Sequence, residues 1–203
     1  MHAWQQHVPQ SGHIVLDFLN TIDDELKTRE RNALPTWAVT LDWAERADLL
    51  TQAERTHLSD VPDGSDPKAV AAEHAALLDF RERLWTLLSG VAAEGAPTGE
   101  DRAWLADTVR WGVNHAELLW PASGDDSAIQ WLVPVDRAGL ATLRARLCVA
   151  LGALLTRPDF RRLRECGRCT ALYLNHGRGA GRRWCRMETC GNRAKIERFR
   201  GKR

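Results

Sequence analysis

Four cysteines near the C-terminus have the spacing of a metal-binding site. Two residues separate the first pair, fifteen follow, and four separate the second pair: Cys166, Cys169, Cys185 and Cys190. A CxxC loop presents two thiolates to one ion, and a second pair completes the tetrahedron that Zn²⁺ prefers. The alternatives are two disulfides or four unrelated thiols. We favour zinc because the first ten residues lack the basic start and apolar run of a secretory signal, which predicts a reducing cytoplasmic location.

The residues around these cysteines predict the elements that hold them. Residues 171–174 suit a short strand, and a glycine-rich turn containing His176 follows. His176 is an alternative ligand, but in such a turn we expect it to be solvated. Residues 190–200 are rich in helix formers, and a thiolate in the first helical turn is stabilised by unpaired backbone N–H groups. The pattern predicts a treble-clef-like module whose stability depends largely on its metal.

The charges are unevenly distributed along the chain. From Arg157 onward there are 15 Lys or Arg and four Asp or Glu, whereas residues 1–156 carry 13 and 23. A basic end of this kind predicts contact with nucleic acid, and arginine in particular can bind phosphates and guanine edges in a bidentate way. The alternative is docking on the protein's own acidic part. The candidate contacts are Arg182, Arg183, Arg186, Arg193, Lys195, Arg198, Arg200 and Lys202.

Three residues of this basic end have more specific predictions. Arg193 is the strongest single candidate for a contact with a phosphate or a partner. We expect Trp184 to pack as an apolar lid on the cysteines, with stacking on an unpaired base as the alternative. Asn192 is interpreted as a local cap or a donor to a thiolate.

Upstream, apolar residues recur with helical spacing. We predict helices within residues 12–31, 40–57, 67–93, 98–110 and 136–157, and a hairpin of strands over 112–120 and 128–135. The predicted fold is mainly α, or α+β by virtue of the small hairpin. A helical domain would span residues 1–157 and the zinc module 158–203, without a flexible linker or a membrane span. Cys148 is expected to be an inert core residue.

Two segments resemble known families. The runs Arg182-Arg183-Trp184-Cys185-Arg186-Met187 and Cys190-Gly191-Asn192-Arg193-Ala194-Lys195 are similar to the CGNR zinc finger. Leu16-Asp17-Phe18-Leu19-Asn20-Thr21 resembles the opening motif of the ABATE domain, which precedes that finger in bacterial proteins described as putative stress-induced transcription regulators. The resemblance implies that the four cysteines bind zinc and that the protein is a regulator. It implies no particular DNA target. Residues 172–177 depart from the LFLD-like run and serine-containing loop of relatives.

The helical domain has polar residues that suggest a second kind of site. Asp17, Asn20 and Arg29 are candidates for the polar groups of a tryptophan-lined pocket that binds an apolar effector. The alternative is that they cap helix ends or satisfy buried backbone groups. No nucleophile–base pairing, phosphate-binding glycine loop or HExxH motif is recognisable, so we do not expect an enzyme.

Two functional hypotheses follow from these observations. In the first, the protein is a transcription regulator whose zinc module binds DNA while the helical domain senses an effector or forms a homodimer. In the second, it is a zinc-stabilised protein- or RNA-binding adaptor, or a small-ligand-binding protein without sequence-specific DNA binding. A redox variant, in which oxidation of the thiolates releases zinc, is compatible with either.

Overall fold

The computed structural model describes residues 11–22, 27–59, 67–120, 129–176 and 181–200, and these residues are mainly α-helical. This confirms the predicted fold class. The helices are α1 (Ile14–Leu19), α2 (Trp37–Arg46), α3 (Gln52–Ser59), α4 (Pro67–Ala92), α5 (Gly99–Asn114), α6 (Val135–Ala138), α7 (Thr142–Thr156) and α8 (Asn192–Arg200). Strands β1 (Glu117–Leu119) and β2 (Gln130–Leu132) form one antiparallel hairpin, and β3 (Leu163–Glu165) and β4 (Leu172–Leu174) form another.

The two most N-terminal helical predictions were too long. In residues 12–31 the described helix is α1 alone, and beyond it Ile22 pairs with Asn32 in an isolated antiparallel bridge. The predicted helix over 40–57 is divided into α2 and α3. Asp48 adopts a left-handed backbone conformation (φ 55°) between them, and Thr51 then forms hydrogen bonds with Glu54 that start α3.

The predicted hairpin exists, but its first strand begins later than expected. Residues 112–114 belong to α5, and the strands are only three residues each. The prediction took Gly112 as the first residue of the strand, but this glycine lies in α5 where the helix packs closely on α7. A Cβ at Gly112 would lie 2.6 Å from the Cβ of Cys148 on α7. The glycine allows close packing of two helices rather than marking the start of a strand.

Other predicted boundaries agree more closely with the structure. Thr98 and Asp101 form a reciprocal capping box at the start of α5, as their spacing predicted. The long helix predicted from residue 136 is interrupted by a 3₁₀ turn over Gly139–Ala141, where Gly139 has a φ of 53°. Pro158 follows the end of α7 by two residues.

Backbone contacts divide the chain into two compact units. The first contains the described residues of Met1–Pro35, Arg81–Pro97 and Arg157–Arg203, and the second contains those of Thr36–Phe80 and Thr98–Thr156. The four cysteines of the predicted zinc site and the Leu16–Thr21 motif therefore lie in the same unit. Separate domains over 1–157 and 158–203 stay a prediction.

The second unit has a leucine-rich core. Its fully buried side chains include Leu41, Leu77, Leu143, Leu147, Leu151 and Leu154. Residues Val135–Thr156 are long and apolar enough to cross a membrane by length and composition. Of the most apolar stretch of this segment, 39% is buried inside the protein. Arg144 and Arg146 within it form ion pairs with Glu73 and Glu54, as in a core helix with polar edges. Cys148 is buried, which confirms its predicted place in the core, and burial raises its pKa to about 12.

Candidate metal centre and basic surface

The four predicted cysteines come together in one cluster. Their sulfur atoms all lie within 4.8 Å of one another, and Cys185 Sγ is 3.6 Å from both Cys169 Sγ and Cys190 Sγ. Four sulfurs bound to one Zn²⁺ at about 2.3 Å in a tetrahedron would lie about 3.8 Å apart. The cluster therefore has the dimensions of a four-thiolate metal site. Among the described residues, the group of side chains that could hold a metal ion consists of these four cysteines. His176 lies instead on the surface beside Asp159.

The first pair of ligands lies in the turn of the β3–β4 hairpin. The backbone N–H of Cys166 donates to the carbonyl oxygen of Ala171 at 2.9 Å and closes that turn. The strand predicted over 171–174 is present as β4, but its partner is the segment that precedes the cysteines, β3. We missed β3 because Leu163-Arg164-Glu165 is too short and too polar to predict a strand by itself.

The second pair lies on either side of a turn that leads into α8. The backbone N–H of Cys185 donates to Cys166 Sγ at 3.3 Å, and Cys190 sits in a π-helical turn over Met187–Gly191. A Cβ on Gly191 would lie 2.5 Å from Met187 Sδ and 3.2 Å from Trp184 Cδ1, so a larger residue would displace its neighbours. Asn192 donates from its side-chain amide to the carbonyl oxygen of Glu188 and ties the turn to the helix. The predicted roles of Asn192, a local cap or a donor to a thiolate, stay predictions.

The electrostatics of the cluster favour a bound cation. Hydrogen bonds from the neighbouring thiols lower the pKa of Cys166, whereas hydrogen bonds with Cys166 raise the pKa of Cys185. The thiols thus cannot all ionise independently at this separation, because each new negative charge opposes the next. A divalent cation removes that penalty, and metal binding is then coupled to the release of protons.

Aromatic side chains pack against the cysteines. Trp184 and the buried Tyr173 pack with Cys166 and Cys190 in one apolar cluster, which confirms the predicted lid role of Trp184. The Tyr173 hydroxyl donates to the carbonyl oxygen of Arg182 at 2.7 Å. Apolar cover of this kind limits access of water and oxidants to a thiolate site.

The Leu16–Thr21 motif holds strand β4 of the metal centre in place. Asn20 donates from Nδ2 to the carbonyl oxygen of Leu172 and accepts the Leu172 N–H at Oδ1, each at 2.8 Å. It thereby imitates a neighbouring strand. The N–H of Leu174 donates to the carbonyl oxygen of Ser11, and Asn20 Nδ2 also donates to Ser11 Oγ.

The other two residues of the predicted pocket also contact the protein itself. Asp17 accepts a hydrogen bond from the Ser11 N–H, and burial raises its pKa. Arg29 pairs with Glu82 at 2.8 Å and stacks on Trp85 at 4.2 Å, while Trp85 Nε1 donates to the carbonyl oxygen of Thr170. An effector pocket formed by Asp17, Asn20 and Arg29 stays a prediction.

Comparison with protein families gives a consistent result. Residues 12–158 match the ABATE model, described as "Putative stress-induced transcription regulator", and this segment covers well over half of the chain. The chain belongs to the ABATE family. Residues 162–203 match the CGNR zinc finger, so the suspected pairing of the two is confirmed. No curated protein matches the chain.

In this ABATE-family protein, the predicted nucleic-acid contacts form two groups on the metal centre. The first lies around Trp184, where Arg182 stacks on Tyr173 at 4.4 Å and Arg183 on Trp184 at 4.8 Å. The second lies on α8, where Arg193, Lys195, Arg198 and Arg200 are exposed. Arg186 is half-buried in the first group, and Lys202 lies outside the described residues.

One positioning contact in this surface was not predicted. Arg168, in the CxxC loop, forms an ion pair with Glu197 on α8. The pair links the first pair of cysteines to the helix that follows the second pair. No periodicity or motif joins residues 29 positions apart, so only the fold brings them together.

Proposed function

We propose that this protein is a DNA-binding transcription regulator in which a Zn²⁺ ion, held by the four cysteines, positions α8 against DNA. The single observation that carries the proposal is the exposure of α8. Eight of its nine residues are exposed and Ala194 is intermediate, and the exposed residues include four cations. A single α-helix fits the major groove of B-DNA, and arginine is the side chain that most often reads guanine there.

The helix would be rigid enough to read bases because its start is anchored at the metal. Cys190 lies two residues before the start of α8, and the Arg168–Glu197 pair holds the middle of the helix. Pre-organisation of this kind reduces the entropy that ordering would otherwise cost on binding. Ile196 and Phe199 are 50% and 74% exposed on the same helix and would contact thymine methyl groups.

The arginines around Trp184 would contact phosphates. Arg182 and Arg183 are exposed, while their stacking on Tyr173 and Trp184 restricts where the guanidinium groups can lie. Phosphate contacts set the register of a protein on the duplex, and base contacts on α8 would then supply specificity. The helical part would sense an effector or form a homodimer, and the protein would act in the reducing cytoplasm, where its thiolates keep the metal.

The test is binding of the zinc-loaded full chain to fragments of its own genome, with competitor DNA and increasing salt. We expect enrichment of a discrete sequence and a steep loss of affinity with salt, with a slope of about 0.9 per phosphate contact. Arg193→Ala should weaken binding about tenfold and keep its zinc content. Arg110→Ala, which removes an exposed arginine from α5, is the matched control and should bind as the wild type does.

Two results would contradict this function. Unchanged affinity in Arg193→Ala would remove α8 from the interface. Weak, sequence-blind binding would favour the alternative in which the exposed Ile196 and Phe199, set among arginines, dock on a protein or RNA.

A further inference from the structure

The second unit contains a cleft that the metal centre does not use. Its volume is about 1050 Å³, and about 300–1,000 Å³ is typical of pockets for small ligands. The walls come from the α2–α3 connection, α3, α5, β2 and α7. The residues that the argument uses are Glu54, Val109, Trp131, Arg146, Val149 and Ala153.

The apolar character of the walls follows from α7, which is hydrophobic nearly all round. Four of its five leucines are buried, yet Val149 and Ala150 are only half-buried and Ala153 is exposed. These side chains line the cleft together with Val109 of α5 and Trp131, which is 47% exposed. Gly152 allows α7 and α5 to approach closely there, since a Cβ on it would lie 2.9 Å from Val109 Cγ1.

The main polar groups of the cleft bind one another. Arg146 donates to both carboxylate oxygens of Glu54 and to the carbonyl oxygens of Leu49 and Val133, at distances between 2.5 and 3.1 Å. Thr51 donates its N–H and hydroxyl to Glu54. The charge of Arg146 is thus neutralised by Glu54 and its N–H donors are occupied. Arg146 therefore connects the walls of the cleft and does not bind an anionic ligand.

We propose that this cleft is a binding site for an uncharged aromatic or aliphatic small molecule. The apolar walls would supply the affinity through burial, and Trp131 would supply a flat contact surface. A negatively charged ligand would find no free cation at Arg146 and would meet the exposed carboxylate of Asp48. This cleft would be the place where the proposed regulator senses its effector. The regulatory effect of ligand binding rests on the proposed function, but ligand binding itself requires no DNA.

The experiment uses two dyes that differ mainly in charge. The zinc-loaded full chain is titrated with the uncharged N-phenyl-1-naphthylamine and, separately, with its sulfonated analogue 1-anilinonaphthalene-8-sulfonate. We expect saturable binding of one uncharged dye per chain and binding of the sulfonate that is weaker by about tenfold or more. Ala153→Trp fills the cleft from an exposed position and should weaken binding of the uncharged dye about tenfold. Ala75→Trp, at an exposed position on α4 that is not among the lining residues, should change it less than about twofold.

If Ala153→Trp lowers the melting temperature more than Ala75→Trp does, Ala150→Phe is used as a second cleft variant. It fills the same cleft one turn earlier on α7. Equal binding by both cleft variants and the wild type would overturn the site, as would non-saturable binding of several dyes per chain. Sulfonate binding as tight as that of the uncharged dye would overturn the ligand class.

Binding of genomic DNA is measured on the same proteins. Saturable dye binding without specific DNA binding would contradict the proposed function and leave the cleft in place. Specific DNA binding without dye binding would do the reverse.

Discussion

The two units of this protein are stabilised in different ways. The first has buried polar groups that need specific partners: Arg81 is 3% exposed and donates to Thr21 and Asn32, Asn20 pairs with the backbone of Leu172, and four thiols share one site. The second relies on a core of buried leucines from α2, α4 and α7, with ion pairs at its edges. A hydrogen bond or metal ligand is lost completely when one partner is removed, and the other partner is left unsatisfied. In an apolar core, the free energy of unfolding falls in proportion to the volume removed. The same type of substitution should therefore have unequal effects in the two units.

The largest difference should appear between two cysteines. Cys190→Ser removes a metal ligand, and we expect loss of stoichiometric zinc and unfolding of the β3–β4 and α8 region, because metal-binding free energy of about 10 kcal/mol is folding free energy in such modules. Zinc content and circular dichroism of the purified protein measure both effects. Cys148→Ala, in the core of the second unit, should keep one zinc per chain and cost about 1 kcal/mol. Normal zinc content in Cys190→Ser would remove this cysteine from the site.

A smaller effect is expected from the contact between the Leu16–Thr21 motif and the metal centre. Asn20→Ala leaves the Leu172 N–H and carbonyl without their partner. This should lower the free energy of unfolding of the zinc-loaded protein by about 2–3 kcal/mol and speed release of zinc to a chelator. Denaturant unfolding and the rate of zinc transfer to 4-(2-pyridylazo)resorcinol measure the two effects.

Asn114→Ala is the matched control for that substitution, since Asn114 is exposed at the end of α5. It should change stability by less than about 0.5 kcal/mol. If Asn20→Ala released zinc no faster than Asn114→Ala, the motif would not support the metal centre.

The smallest effect should be found at Glu54, in the second unit. Its hydrogen bond from Arg146 lowers its pKa from 4.5 to about 2. A carboxyl whose pKa is depressed by folding stabilises the protein above pH 4.5, and this contribution disappears as the pH falls toward 2. Because the side chain is 26% exposed, solvent screening reduces the contribution to about 1–2 kcal/mol.

The measurement is the difference in melting temperature between the wild type and Glu54→Gln from pH 7 to pH 2. The difference should be largest near neutral pH and should vanish in acid, while zinc release below pH 5 affects both proteins alike. A difference that is independent of pH would show that the Glu54–Arg146 pair acts through packing and not through charge.

The chemistry of the metal centre was predictable because it depends on residue type and spacing. The CxxC pair, the second pair at the start of α8 and the apolar lid of Trp184 are all local in sequence. The capping box at Thr98 was predictable for the same reason, since its two members are three residues apart. The boundaries of α2, α3 and β1 were not, because Asp48 and Gly112 act through backbone conformation and close helix packing that periodicity does not record.

What the sequence determined by itself, then, is the four-cysteine cluster, the basic end and the mainly helical class, all of which follow from residue types at short range. The tertiary structure alone decided that Asn20 binds a strand 152 residues away, that Arg168 pairs with Glu197, and that the side of α7 away from its leucines lines an apolar cleft. These contacts join residues that are distant in sequence, and each depends on the positions of whole helices and strands. Spacing along the chain carries no information about such positions until the elements have packed.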